Sequence, residues 1–365
     1  MKIKEITTYL ESIAPLSLQE DYDNSGLIVG EPDAEVKAAL ISLDCTEEVI
    51  DEAISSGCNL VISHHPIVFK GLKKFNKKNY VERAVMKAIK HDIALYAIHT
   101  NLDHIEGGVN AKICEKLNLQ HIQVLSPKKN ILKKLVTFVP LCHVERVRTA
   151  ILEAGAGHIG NYSDCSFNIS GTGTFKAGDQ ANPFVGNINE LHQEEEVRIE
   201  TIYPEYLERK VLVALLEAHP YEEVAYDLYP LSNSFYQAGA GMIGTLETPM
   251  EELEFLQLTK SALRAKVIRH TALRGKQVRR VAVCGGSGSF LLPAAIAAGA
   301  DVFVTADFKY HEFFDAEGKI VISDLGHFES EQFTQELLFD VIKKKFPNFA
   351  IHLTSIDTNP INYLI

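Results

Sequence analysis

Two stretches far apart in the chain are written to one plan. Asp51-Glu52-Ala53-Ile54-Ser55-Ser56-Gly57-Cys58-Asn59-Leu60-Val61-Ile62-Ser63 and Ala294-Ala295-Ile296-Ala297-Ala298-Gly299-Ala300-Asp301-Val302-Phe303-Val304-Thr305 each pass from a helix-forming segment through a glycine into a short apolar run. A glycine just past a periodic segment stops a helix, and a short β-rich run after it reads as a buried strand. The echo therefore predicts two related α/β lobes that present their strand ends to one shared cleft. His64-His65 follows the first strand and Ala306-Asp307 follows the second.

Strand and helix alternate around both copies. Ile3 to Ala14 has helical spacing, and Glu20 to Gly30 is a turn-rich loop running into a strand. Its Asp-x-Asp-Asn lacks the later glutamate of a calcium loop. Ala38 to Leu43 reads as a strand, Thr46 caps a helix to about Ser56, and the alternation continues through Gly108–Leu117, the rhythm of a mostly parallel sheet. It breaks near Ser126–Asn130. From Leu132 to Tyr229, two strand-helix-strand units in series predict a ferredoxin-like α+β domain, with Gly178 to Glu196 as a long loop between its halves. After Gly241–Gly244 the α/β pattern resumes, with a long helix expected over Glu329–Lys345. The expected organisation is residues 1–127 plus 240–365 as an α/β body of two lobes with mixed sheets, and 128–239 as the insert.

Bulk properties narrow the function. The 365 residues contain no run of 18 apolar residues, so no membrane span is expected, and the N-terminus lacks a signal core, which predicts a cytoplasmic protein. Six scattered cysteines without a Cys-x-x-Cys pair read as reduced, packed thiols. A net charge of −12 disfavours wholesale nucleic-acid binding, and the five lysines between Lys70 and Lys78 read as a solvated face.

The chemistry lies at three strand ends. His64 and His65 stop against Pro66, Asp103 closes Ile98-His99-Thr100-Asn101-Leu102-Asp103-His104 after the apolar run Ile93–Ala97, and His327 and Glu331 stand four apart on one helical face. A lone His-His-Pro is ordinarily a turn and a lone His-x-x-x-Glu an ordinary surface pair; their conjunction makes a metal site the better reading. Nitrogen and oxygen donors without thiolate suit an open site for divalent ions, zinc first, with iron, manganese or nickel as alternatives. Five ligands serve two ions if Asp103 and Glu331 bridge, and hydrolysis is the default chemistry of such pairs. A helix starting near Gly326 is expected to favour neutral His327 and ionised Glu331. His99 and His104 flank Asp103 as supports or proton carriers. Weaker candidates are Cys284-Gly285-Gly286-Ser287-Gly288-Ser289, either a cradle of amides for phosphate or carboxylate or a tight turn, and Asp307, either on the substrate side or a helix cap.

Asp23-Asn24-Ser25-Gly26-Leu27, Ser63-His64-His65-Pro66, Asn101-Leu102-Asp103, Cys284-Gly285-Gly286-Ser287-Gly288, Asp307-Phe308-Lys309-Tyr310-His311 and Gly326-His327-Phe328-Glu329-Ser330-Glu331 occur in order, and together they resemble the GTP cyclohydrolase I type 2 / Nif-three-like family. The resemblance implies a dinuclear site on His64, His65, Asp103, His327 and Glu331, facing α/β lobes and a toroidal homohexamer. It also implies a GTP cyclohydrolase activity, in which metal-bound hydroxide attacks C8 of guanine and formate leaves. The catalytic candidates in this sequence are Glu331 and His99. The insert is similar to a PII/CutA-like domain. Ala306 departs from the glycine usual in the family and is expected to narrow approach to a ligand there. The competing expectation is a metal-holding oligomeric scaffold or regulator, whose insert senses a small ligand and whose ring holds a partner.

Overall fold

In the computed structural model, which describes residues 1–364, Leu60–Ser63 and Val302–Ala306 are strands with every residue buried. Each is the middle of three parallel strands. Leu60–Ser63 lies between Ala39–Ser42 and Ala94–Ala97, and Val302–Ala306 between Gln277–Ser287 and Val321–Asp324. A strand covered on both faces needs apolar residues at every position, so the two echoed runs carry no polar alternation. Gly57 and Gly299 both hold positive φ at the preceding turns, a backbone region that costs other residues more.

The first sheet runs in the order Gly26–Val29, Ala94–Ala97, Leu60–Ser63, Ala39–Ser42, Ile351–Leu353, with only Gly26–Val29 antiparallel. The second runs Arg269–His270, Val321–Asp324, Val302–Ala306, Gln277–Ser287, Ser234–Glu251, Gln120–Lys129. Arg269–His270 pairs antiparallel with Val321–Asp324, and Ser234–Glu251 with Gln277–Ser287. One apolar cluster takes in Ile62 and Tyr96 of the first sheet, Val304 and Val321 of the second, and Ile113 and Leu117 from the helix side, so both lobes share a core. Burial of this extent is the main stabilising term of the body.

The chain divides into two compact units, Met1–Pro127 with the chain from Gln237 onward, and Lys128–Tyr236. Ile365, the last residue of the expected 240–365 segment, lies outside the described residues. The second unit follows strand, helix, strand, strand, helix, strand. Its antiparallel sheet has the order Phe167–Lys176, Leu191–Pro204, Leu132–Pro140, Tyr226–Leu231, the ferredoxin-like arrangement. Helices Val144–Glu153 and Glu208–Ala218 cover one face through Val147, Ile151, Val211 and Leu215, against Leu135, Val139, Val197 and Ile199.

Two expectations change. The strand Leu191–Pro204 begins inside the segment expected to be loop, because Glu194 and Glu196 pair across the sheet with Gly173 and Gly171. The expected long helix Glu329–Lys345 is two helices, His327–Glu331 and Thr334–Lys345. The turn at Gln332–Phe333 lets Phe333 reach the core while Glu331 faces the other way, into the cleft. Among the described residues no helix is long and apolar enough to cross a membrane.

Candidate metal centre

The chain leaves Leu60–Ser63 with the amides of His64 and His65 donating to the Ser42 and Leu43 carbonyls, which fixes both backbones at the strand end. The His64 ring is fully buried, and its Nδ1 lies 2.8 Å from the Ile98 carbonyl. A carbonyl only accepts, so Nδ1 carries the hydrogen and Nε2 presents a lone pair. That lone pair faces Asp103 Oδ1 at 3.6 Å and Glu331 Oε1 at 3.8 Å, both beyond hydrogen-bond range. His64 Nε2 and Asp103 Oδ1 are buried without a hydrogen-bond partner. Acceptors converging in this way are costly unless a cation joins them.

The other two imidazoles are held from behind by carboxylates. His65 Nδ1 donates to Asp44 Oδ1 at 2.8 Å, and His327 Nδ1 donates to Asp307 Oδ2 at 2.6 Å. Their Nε2 atoms are 3.3 Å apart and lie 2.9 and 3.1 Å from Glu331 Oε2. Carboxylates behind histidines set the tautomer and ring orientation of metal ligands. Glu331 is common to two groups able to hold a cation, His64–Asp103–Glu331 and His65–His327–Glu331, and His64, His65 and His99 form a third. Donors about 2.1 Å from a tetrahedral ion sit roughly 3.4 Å from one another, so the spacings suit metal binding. Glu331 thus belongs to both carboxylate-containing groups, while Asp103 falls in one only.

Protons occupy part of this space in the cation-free chain. The charge of Glu331, then hydrogen bonds to Asp307 and Glu331, push His327 up to about 11. Burial opposes a charge on His65, yet Asp44 and Glu331 outweigh it and raise the group to about 9. Burial, then the charge of Glu331, pushes Asp103 up to about 7. Burial alone would raise Glu331, but His327 and the other two imidazoles hold it well below the usual carboxylate range. In the metal-free chain the two adjacent carboxylates therefore favour a charged His327 over the neutral form expected at a helix start. The helix behind it has only five residues, too short a dipole to outweigh two adjacent carboxylates.

Small residues make room for the cluster. A Cβ on Gly286 would come within 2.4 Å of Glu331 Oε1, and φ there is +60°. The neighbouring amides are already engaged: Gly285 N–H donates to Asn110 Oδ1 and Gly286 N–H to Ser330 Oγ, each at 2.9 Å. The Cys284–Ser289 segment is accordingly a scaffold for Glu331 and no cradle for phosphate at those two amides. Asp307 orients His327, while the helical turn after it is capped at Lys309.

His99 is buried, and its Nδ1 donates to Asp23 Oδ1 at 2.8 Å. Burial would raise Asp23, but His99 and Thr100 hold its carboxyl well below the ordinary range. His104 donates from Nδ1 to the Leu18 carbonyl and sets Nε2 3.1 Å from Glu20, so it ties two loops together. Asp44 and Asp23 are the site residues that sequence reasoning missed as partners. Asp44 lies two residues past the parallel strand Ala39–Ser42, a position that could have been found by inspecting every parallel strand end. A cleft of about 880 Å³ takes in His65, His99, Asp103, His327 and Glu331, with Tyr22, Phe69, Tyr80 and Phe290 around it.

Fold and site together define a two-lobed α/β protein with a candidate metal centre at paired strand ends. The chain belongs to the Duf34/NIF3 (NGG1p interacting factor 3) family, whose sequence model matches residues 1–360. A protein of Halalkalibacterium halodurans named GTP cyclohydrolase 1 type 2 homolog is 42% identical over 360 residues, covering 97% of this chain and 96% of its own. A Bacillus subtilis protein of the same name is 40% identical over 368 residues, covering 99% and 98%. The crystal structure of a Bacillus cereus protein related to NIF3 superposes with a TM-score of 0.86 at 42% identity, covering 100% of this chain and 99% of that one. A Staphylococcus aureus structure does so at 0.79 and 30% identity, with the same coverage.

Proposed function

We propose that the chain is a dinuclear metal-dependent hydrolase acting on a nucleotide or related heterocycle, with GTP cyclohydrolase as the specific version. The observation that carries this reading is Glu331, which faces His64 through one oxygen and His65 and His327 through the other. His64, Asp103 and Glu331 would hold one ion, and His65, His327 and Glu331 the second, with zinc the best match to the donors. Two divalent ions supply Lewis acidity and a nucleophilic water at neutral pH. The names of the relatives support the cyclohydrolase version, and the same family reading brings with it a homohexameric ring in the cytoplasm.

The chain's own residues fill the remaining roles. Asp23 fixes the proton of His99 on Nδ1, so Nε2 is free to accept one beside the cluster, the arrangement expected of a general base. Tyr22, Phe69, Tyr80 and Phe290 are largely exposed at the cleft and offer ring faces for a purine. The test is formate release from GTP by full-length protein stripped of metal and then reloaded. Turnover should follow metal content, and His99→Gln should lower it about 10²-fold or more with metal retained. Full loading with no turnover of GTP or other purine nucleotides defeats the hydrolase reading.

A further inference from the structure

The insert has a cavity of its own, of about 640 Å³, lying on the sheet face opposite its two helices. Its floor comes from alternate residues of adjacent strands, Phe138, Ile169, Gly171, Glu196 and Arg198, and the segment from Ala177 to Phe184 lines one side of it. Glu196 is only 8% exposed. Its Oε1 accepts a hydrogen bond from the Tyr221 hydroxyl at 2.9 Å, and its Oε2 rests against Gly173, where a Cβ would come within 2.1 Å. The cations nearest along the sheet are committed elsewhere, since Arg198 and Lys134 both pair with Glu200 at 2.8 Å. Among the described residues no ion pair engages Glu196, an unusual state for so buried a carboxylate.

Around that charge stand aromatic rings. Tyr221 has its centroid 6.1 Å from Phe175 and 6.2 Å from Phe184, and Phe138 completes the lining. Rings attract cations through their faces and cover hydrocarbon equally well. A bare metal ion is poorly served, because Glu222 already accepts from the Asn182 amide, Glu223 is an exposed residue of the lining, and Glu196 is the one deeply buried carboxylate among them. We propose that this cavity binds an organic amine, its ammonium group on Glu196 and its hydrocarbon body among Phe138, Phe175, Phe184 and Tyr221. It shares no lining residue with the cleft at the metal centre.

Phenethylamine and putrescine are suitable probes, with 3-phenylpropionate as the anionic counterpart. Binding to the full-length protein is read by calorimetry and by tyrosine fluorescence, which is unobscured because the chain has no tryptophan. At least one amine should saturate below about 1 mM and 3-phenylpropionate should not bind. Glu196→Gln, which keeps the Tyr221 hydrogen bond, should weaken the amine about ten-fold or more, the loss of a charge-assisted contact. Phe184→Ala, on the lining segment, should weaken it as well and serves if the first variant does not fold. Saturation by neither amine, equal binding of the carboxylate, or full affinity in a folded Glu196→Gln protein overturns the assignment.

Discussion

Nε2 of His64 stands 3.6 Å from Oδ1 of Asp103, with both atoms closed off from water and from any hydrogen-bond partner. The first is a lone pair fixed by the Ile98 carbonyl, and the second is a carboxylate oxygen that shares its surroundings with Glu331. Neither repels the other enough to open the site, because the strand end and the short helix Thr100–Asp103 hold both backbones. A divalent ion between them removes two desolvation penalties at once.

Asp307 should matter to metal and little to the fold. Its side chain is 46% exposed and it touches the cluster through His327 Nδ1. Asp307→Asn is expected to weaken the second ion about 10- to 100-fold in a chelator competition, with the melting temperature nearly unchanged. Unaltered affinity would remove Asp307 from the account.

Metal binding and stability should respond to pH in a definite direction. In the cation-free chain His65 sits at about 9 and His327 at about 11, both above the ordinary 6.5. Their protons stabilise that chain fully below pH 6.5, and the contribution is lost as the pH rises through 9 and then 11. Asp103, raised from 3.8 to about 7, adds an earlier loss that is complete as the pH passes 7. The melting temperature of chelated protein should therefore fall between about pH 7 and pH 10 while that of loaded protein holds, since bound ions replace the protons. Apparent metal affinity should rise across the same window. Scanning fluorimetry over pH, with and without chelator, reads both, and identical profiles would count against the site.

Gly286→Ala tests the packing beneath Glu331. The added methyl meets Glu331 Oε1 and the backbone sits at positive φ, so the carboxylate must shift. Loss of metal from a folded protein is expected, seen as unchanged circular dichroism with depleted metal; full occupancy would show that Glu331 is not constrained in this way.

Much of this was legible in the sequence because strand composition is local. The stretches Leu60–Ile62 and Val302–Val304 are apolar throughout, and the candidate ligands lie within a few residues of strand ends, so both lobes and the cluster could be read. The insert's order of elements was legible for the same reason. Partners joined only by the fold were not. Asp44 reaches His65 across 21 positions and Asp23 reaches His99 across 76, and no spacing rule connects them. The glutamates before Val197 look like loop until their pairing with Gly171 and Gly173 is seen. The break at Gln332–Phe333 follows from the demands of the core on Phe333, which helical periodicity does not encode.

The most direct test is the metal content of the purified wild-type chain and of Glu331→Gln, each equilibrated with zinc and freed of excess, measured by plasma mass spectrometry. The wild-type chain should hold two ions and Glu331→Gln neither, because one carboxylate serves both positions. Two ions retained by Glu331→Gln, or none taken up by the wild-type chain, would contradict the shared centre.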